Sequence, residues 1–248
     1  MLILLDVGNT AITYGLYQGG RLQASGSFMK NDIPKIVKKW SKNGALNKSK
    51  ALISSVVPEI TSILKKSIAK KGAKVWVLGQ NLPISIKNRY ASIKKLGMDR
   101  IVNIYGALRM YKPPFVILDL GTAIKADFVS RKGVFEGGMI IPGAELAFQA
   151  LIQKAALLPK KLRLPSKSKS FLGRSTYDCM ATGILEGYGS MLDGLVARFK
   201  RHLGKEIRVI ATGGFAKTLR PYTHSFDILD TQHSLKSLLI IFKDKLSS

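Results

Sequence analysis

The chain is poor in several residues that would settle its chemistry at a glance. It has one cysteine, Cys179, and three histidines in 248 residues. A lone cysteine closes no internal disulfide, and scattered histidines offer no spacing for a zinc site, so redox and zinc chemistry are not expected. No window approaches the roughly 18 uninterrupted apolar residues of a membrane span. The opening "MLILL" meets Asp6 at once and has neither a basic leader nor a cleavage site, so a cytoplasmic protein with no membrane partner is expected. Pro/Gly/Ser-rich linkers and low-complexity tracts are missing as well.

Acids are also scarce. Fifteen Asp and Glu stand against 40 Lys and Arg, a formal net charge of +25. Such a surface attracts phosphates of any kind. The excess is mostly lysine, spread through "ILKKSIAKKGAK", "IKNRYASIKK" and "PKKLRLPSKSK". No aromatic-interleaved single-strand platform, zinc finger or ribonucleoprotein signature accompanies it, so nucleic acid is expected only as a non-specific guest of the basic surface.

What is present is 46% hydrophobic sequence with a repeated pattern. "LILLDVGNTAITYGLY" and "FVILDLGTAIKADFV" each run an apolar strand into an acid, a glycine and a threonine, then into a second strand. After the first corner, Gly19-Gly20 separates two strand-like runs and suits a tight hairpin; after the second, "RKG" does the same. Helix-like sequence follows each meander, at Pro34 to Lys42 and Ala144 to Ala155, and then βα alternation through "ALISSVV", "AKVWVLG" and "IRVIATGG". The expected fold is α/β: two similar ribonuclease H-like lobes, each a mixed sheet with flanking helices, facing a central cleft. The lobes are expected at 1–95, with the first phosphate corner, and 96–248, with the second corner and an adenosine-side glycine pair. "GMDRIVNIYGALRMYK" carries near-helical apolar spacing, and Leu158 to Thr176 reads as an irregular surface loop.

A corner of the form Asp-x-Gly-x-Thr suits nucleotide phosphates: glycine lets the backbone turn and approach closely, while amides and hydroxyls donate to oxygen. Asp6 would repel phosphate directly, so it implies a bridging cation, most simply Mg²⁺. A single such corner could be an ordinary Asx turn; the repeat at Asp119-Leu120-Gly121-Thr122 argues for a site. Gly213-Gly214, between a strand and a helix, would let adenine or ribose lie on bare backbone. Asp99 in "LGMDRIVN" is the best candidate base for an acceptor hydroxyl, because a helix N-terminus and Arg100 both favour a negative charge there and Arg100 can clamp an anion. A simple helix cap is its plainer reading. Asp127, Glu136, Glu145 and Glu186 lack the neighbouring glycine and arginine.

Two corners and a glycine pair are the pattern of the acetate and sugar kinase, Hsp70 and actin superfamily. Within it the chain resembles the type III pantothenate kinases, through "DVGNT" at 6–10, "SSVVP" at 54–58, "GMDR" at 97–100, "DLGTA" at 119–123, "EGGMIIPG" at 136–143, "GRST" at 173–176 and "ATGG" at 211–214. The resemblance implies ATP-dependent phosphorylation of pantothenate, the first step of coenzyme A biosynthesis, by a homodimer using Mg²⁺ and K⁺ or NH₄⁺. It implies that Asp6, Val7, Gly8, Asn9, Thr10, Ala11, Ile12, Thr13 and Thr122 bind ATP and its metal, that Asp119 binds the monovalent cation and that Asp99 accepts the proton. Tyr90, Gly97, Met98, Asp99, Arg100 and Thr176 would bind pantothenate. The alternative is a non-catalytic relative acting as a regulatory or nucleic-acid-binding accessory protein.

The chain departs from the family pattern at three places. Ile124 and Lys125 stand where the family carries threonines, the Asn-Pro that usually precedes the GxDR motif is missing, and Ser175 replaces an asparagine. On an extended strand Lys125 shares a side with Ala123 and Asp127. It is then either a solvent-facing or Asp127-paired side chain, or an ammonium near the phosphates that takes over part of the monovalent cation's work.

Overall fold

A computed structural model describes residues 1–155, 159 and 161–246. The chain forms two compact units: Met1–Tyr111 joined by the C-terminal segment from His233, and Lys112–Gln232.

In the first unit β1 (Leu2–Val7), β2 (Ala11–Gln18) and β3 (Arg21–Met29) make the expected antiparallel meander. Its hairpin turns on Gly19 and Gly20, both at positive φ (57° and 76°), the backbone that a two-residue turn matching strand twist demands. α1 (Ile33–Lys42), β4 (Lys50–Ser55), α2 (Pro58–Ala69) and β5 (Lys74–Val77) follow, and β4 and β5 extend the sheet in parallel to give the order β3-β2-β1-β4-β5. Ile3, Leu5, Val7 and Ile12 bury one face of this sheet with Val37 and Trp40 of α1 and Leu64 and Ile68 of α2.

The opposite face is covered by α3 (Met98–Met110) and α7 (His233–Leu246), which pack on β1, β2 and β4. The two helices meet at Gly106, where a Cβ would lie 1.9 Å from Ser237 Oγ. Tyr105 Oη donates to Asp244 Oδ2 at 2.9 Å and buried His233 Nε2 lies 2.9 Å from Asn103 O, fixing the register of the pair. These contacts correct the expected 95/96 boundary. The apolar spacing of α3 does belong to a helix, but its partner is the last helix of the chain, so the compact units part after Tyr111 instead.

The second unit repeats the sheet. β6 (Phe115–Leu120), β7 (Ala123–Val129) and β8 (Phe135–Pro142) form a meander, α4 (Ala144–Lys154) and α5 (Thr176–Leu203) follow, and β9 (Arg208–Thr212) and β10 (Ile228–Leu229) add in parallel, with the short α6 (Ala216–Leu219) between them. The order is β10-β9-β6-β7-β8, the first sheet's topology strand for strand. Leu118, Leu120, Ile124 and Phe128 pack on Phe148 of α4 and Leu185 and Leu192 of α5.

Between Lys161 and Ser175 no helix or strand forms, as expected; Leu158 and Lys160 lie outside the described residues. The segment is nonetheless fastened. Leu162 O accepts from Gln149 Nε2 at 2.8 Å, Arg163 O from Tyr177 Oη at 2.9 Å, and Ser168 N donates to Tyr222 Oη at 2.7 Å. Glu145 belongs to this structural set, holding Gln149 Nε2 and Leu164 N.

Candidate active site

At the first corner β1 ends on Asp6-Val7 and β2 starts at Ala11, so Gly8, Asn9 and Thr10 form the turn. Gly8 N donates to Ala11 O at 3.0 Å and closes it. Asn9 and Thr10 are exposed at the tip, and Asp6 faces Thr13 across the strands. Val7 and Ile12 lie in the core, so within the expected ATP-binding run only their backbone can reach a nucleotide. β4 lies on the other side of β1, with Ser54 beside Asp6. At the end of β4 the "SSVVP" motif turns into α2: Val57 N donates to Ser55 Oγ at 3.0 Å and Thr61 Oγ1 to the same oxygen at 2.6 Å.

The second corner is one residue tighter. β6 ends at Leu120 and β7 begins at Ala123, so Gly121 and Thr122 make the turn. It is also more crowded. Gly143 N donates to Thr122 O at 2.9 Å, and a Cβ on Gly143 would sit 2.3 Å from Gly121 O. Gly213, at φ 93°, presses on it from β9: a Cβ there would lie 2.6 Å from Leu120 O and 2.7 Å from Asp119 Oδ1. The third glycine element therefore abuts the second corner, and Phe215 N donates to Leu120 O at 2.9 Å to hold it there. Gly143 is the contributor that motif reading passed over; its signal was the Pro-Gly that closes "EGGMIIPG".

Asp119 faces Lys125 across the ladder, at the position where Asp6 faces Thr13. Lys125 Nζ donates to Asp119 Oδ2 at 2.7 Å, and the two side chains are only 20% and 17% exposed. Neighbouring Ile124 points the other way into the core, so the two departures from the family pattern serve different ends, one packing and one charge. Asp127, on the Lys125 side of β7, is buried.

A third group of residues gathers at the start of α3. Gly97 is the N-cap and lacks a side chain because Asp99 Oδ1 would lie 2.5 Å from its Cβ. That same oxygen accepts from Arg100 N at 2.9 Å, so Asp99 braces the first helical turn without being the N-cap. Arg100 is buried to 5% exposure, and its guanidinium lies 5.5 Å from the centre of the Tyr90 ring, a cation–π contact. Met98 packs beside Gly79, where a Cβ would meet its Cε at 2.6 Å. The structure thus brings together Tyr90 and Gly97 to Arg100, five of the six expected substrate residues. The sixth, Thr176, is exposed in the second unit as the first residue of α5.

The "GRST" motif explains its own substitution. Ser175 is the N-cap of α5: its Oγ accepts from Asp178 N at 3.1 Å and donates to Asp178 Oδ2 at 2.7 Å. Serine and asparagine are both strong N-caps, so the exchange keeps the helix start where it was. Gly173 lies flat on that turn, where a Cβ would come 2.2 Å from Cys179 N.

The family model described as type III pantothenate kinase matches residues 2–198. The chain belongs to the type III pantothenate kinase family. A type III pantothenate kinase of Syntrophus aciditrophicus is 33% identical over 253 residues, spanning 98% of this chain and 99% of that one. One of Caulobacter vibrioides is 38% identical over 193 residues, spanning 77% and 74%. Among solved structures, a Campylobacter jejuni protein described as a conserved Baf family transcriptional activator superposes with a TM-score of 0.60 at 17% identity, over 98% of this chain and 97% of that one. MreB5 of Spiroplasma citri bound to ADP superposes at 0.53 with 12% identity, over 98% and 96%. These two likenesses concern the fold, and they agree with the expected two-sheet α/β class.

Proposed function

We propose that the chain transfers the γ-phosphoryl group of ATP to pantothenate, the first step of coenzyme A biosynthesis, with Asp99 accepting the hydroxyl proton. The observation that carries this reading is the cluster at the start of α3. A carboxylate, a buried guanidinium and an aromatic ring lie together there, where an acceptor with a carboxylate and a hydroxyl could be clamped and deprotonated. Arg100 and Tyr90 bind and orient pantothenate, and Gly97 leaves the room that the Asp99 carboxylate needs. Orientation and charge neutralisation supply most of the acceleration in phosphoryl transfer.

Asp6 to Thr13 cradle the phosphates through the turn amides and the exposed Asn9 and Thr10; Thr122 is the ATP-contacting residue of the second corner. Among the described residues no three of His, Cys, Asp and Glu cluster as a metal cage. A divalent ion such as Mg²⁺ suits that arrangement, since it is held by one or two carboxylates together with phosphate oxygens and water, and Asp6 is the carboxylate for it. When bound, it neutralises phosphate charge. The monovalent cation implied for Asp119 does not fit, because Lys125 already occupies that carboxylate.

The functional unit is a homodimer in the cytoplasm. Support for pairing comes from β8, an edge strand with Met139 and Ile140 exposed, and from Leu146 and Leu151 on the adjoining α4. Among the described residues no helix is long and apolar enough to cross a membrane.

The test is ADP release from ATP and Mg²⁺ with and without pantothenate. The expected result is turnover that depends on pantothenate. Its absence in well-folded protein overturns the reading, and duplex DNA binding that discriminates sequence would then favour the regulatory alternative.

A further inference from the structure

The second corner carries its own cation. Asp119 ends β6 as Asp6 ends β1, and the ladder places Lys125 opposite it where the first corner has Thr13. Lys125 Nζ reaches Asp119 Oδ2 at 2.7 Å, and both side chains are largely shielded. The other carboxylate oxygen faces the Gly213 turn, which approaches so closely that a Cβ there would be 2.7 Å away. A potassium or ammonium ion bound at Asp119 would have to displace a lysine or share its place, and two like charges on one carboxylate repel each other. The lysine head group is itself an alkylated ammonium ion, and the strand that carries it fixes it beside Asp119. It sits on the corner whose Thr122 is exposed, and its backbone is held by β6 and β8 on either side.

We propose that Lys125 is a built-in monovalent cation: its ammonium group replaces the potassium or ammonium ion at Asp119, so that nucleotide binding and turnover need neither. Lys125 is then a positioning residue acting through Asp119 and the Gly121-Thr122 turn. The inference rests on the kinase reading above and adds to it which cation serves the nucleotide site.

Two measurements test it. In the first, pantothenate-dependent ADP release is followed as potassium chloride replaces tetramethylammonium chloride at constant ionic strength. Wild type is expected to change by less than about twofold over the range. Lys125→Thr, which copies the first corner, is expected to lose about 10- to 100-fold without potassium and to recover most of it when potassium or ammonium is added. A wild-type rate that rises tenfold or more with potassium overturns the proposal, as does a folded Lys125→Thr protein that potassium and ammonium leave unchanged.

The second measurement needs no turnover: calorimetric titration of wild type and Lys125→Met with a non-hydrolysable ATP analogue and Mg²⁺, with and without potassium. Wild-type affinity is expected to be indifferent to potassium, and that of the variant to depend on it. Potassium-dependent affinity in wild type overturns the proposal. If turnover never depends on pantothenate, the substrate assignment fails, and this binding experiment still decides the role of Lys125.

Discussion

The two units share one sheet topology but use their acidic corners differently. In the first, three residues span the turn, its tip is exposed, and Thr13 faces Asp6. In the second, two residues span it, two glycines press against it, and Lys125 holds Asp119. A compensating change appears in the adjacent strand exit. One residue, Ser55, lies between Ser54 and Val56, whose amide donates to Val7 O at 3.1 Å; in the second unit Gly213 and Gly214 both fit between Thr212 and Phe215, whose amide donates to Leu120 O at 2.9 Å. One corner is open at its tip, and the other is crowded and pairs its carboxylate with a lysine across the ladder. Duplicated scaffolds diverge in this way: the ladder fixes where side chains meet, and single residues decide which charges are left to be matched.

The largest test of this division falls on the first unit. Asp99→Asn keeps the Asp99 shape and removes only the proposed proton acceptor, so kcat is expected to fall about 10³-fold while the melting temperature stays close to wild type. A rate loss under tenfold would move the base elsewhere.

Next come the corner glycines. Gly213→Ala must place a Cβ within 2.6 Å of Leu120 O at φ 93°, with backbone on one side and Asp119 on the other. A loss of about 2–4 kcal/mol in unfolding free energy is expected by denaturant titration. Gly8→Ala meets only Ala11 O at 3.2 Å and has no positive φ, so its loss should stay below about 1 kcal/mol. Equal losses would break the contrast between an open and a crowded corner.

The second unit is also fastened by polar links along α5. Asp193 Oδ1 accepts from Thr223 Oγ1, Ser225 Oγ and His224 N at 2.5, 2.5 and 3.0 Å. Burial pushes the Asp193 carboxyl up, but the hydrogen bonds from Ser225, Thr223 and the His224 amide together outweigh it and hold the group below its ordinary value. A carboxylate depressed on folding adds stability that is complete above its unfolded pKa of about 3.9 and is lost as pH falls through the folded value. Asp193→Ala is expected to cost about 2 kcal/mol at neutral pH, and the gap to wild type should narrow in unfolding titrations below about pH 4.

The mildest exchange of all is at the N-cap. Ser175→Ala should cost about 1 kcal/mol and Ser175→Asn close to nothing, both read from thermal unfolding.

Much of this was legible in the sequence because it is local. An apolar strand running into Asp, Gly and Thr announces its corner within a dozen residues, and the repetition of "DVGNT" and "DLGTA" announced the two sheets. The paired glycines of the first hairpin announced its turn. What stayed hidden depends on partners far along the chain. The helical spacing of α3 was plain, but its unit membership depends on Ser237 meeting Gly106, 131 positions away. Strand alternation put Lys125 on the side of Asp127, but its ion pair with Asp119 emerges only from the β6–β7 register. The loop before α5 read as irregular, and is; its anchors to Gln149, Tyr177 and Tyr222 come from elements on either side of it.

The docking of α7 onto α3 also governs the order in which the protein can assemble. The second unit is continuous in sequence, so everything its core requires has left the ribosome once Gln232 is free. The first unit is interrupted by the second: until the segment from His233 emerges, β1, β2 and β4 lack the packing of α7 and Gly106 lacks its contact with Ser237. The half of the molecule synthesised first is therefore the half that finishes folding second.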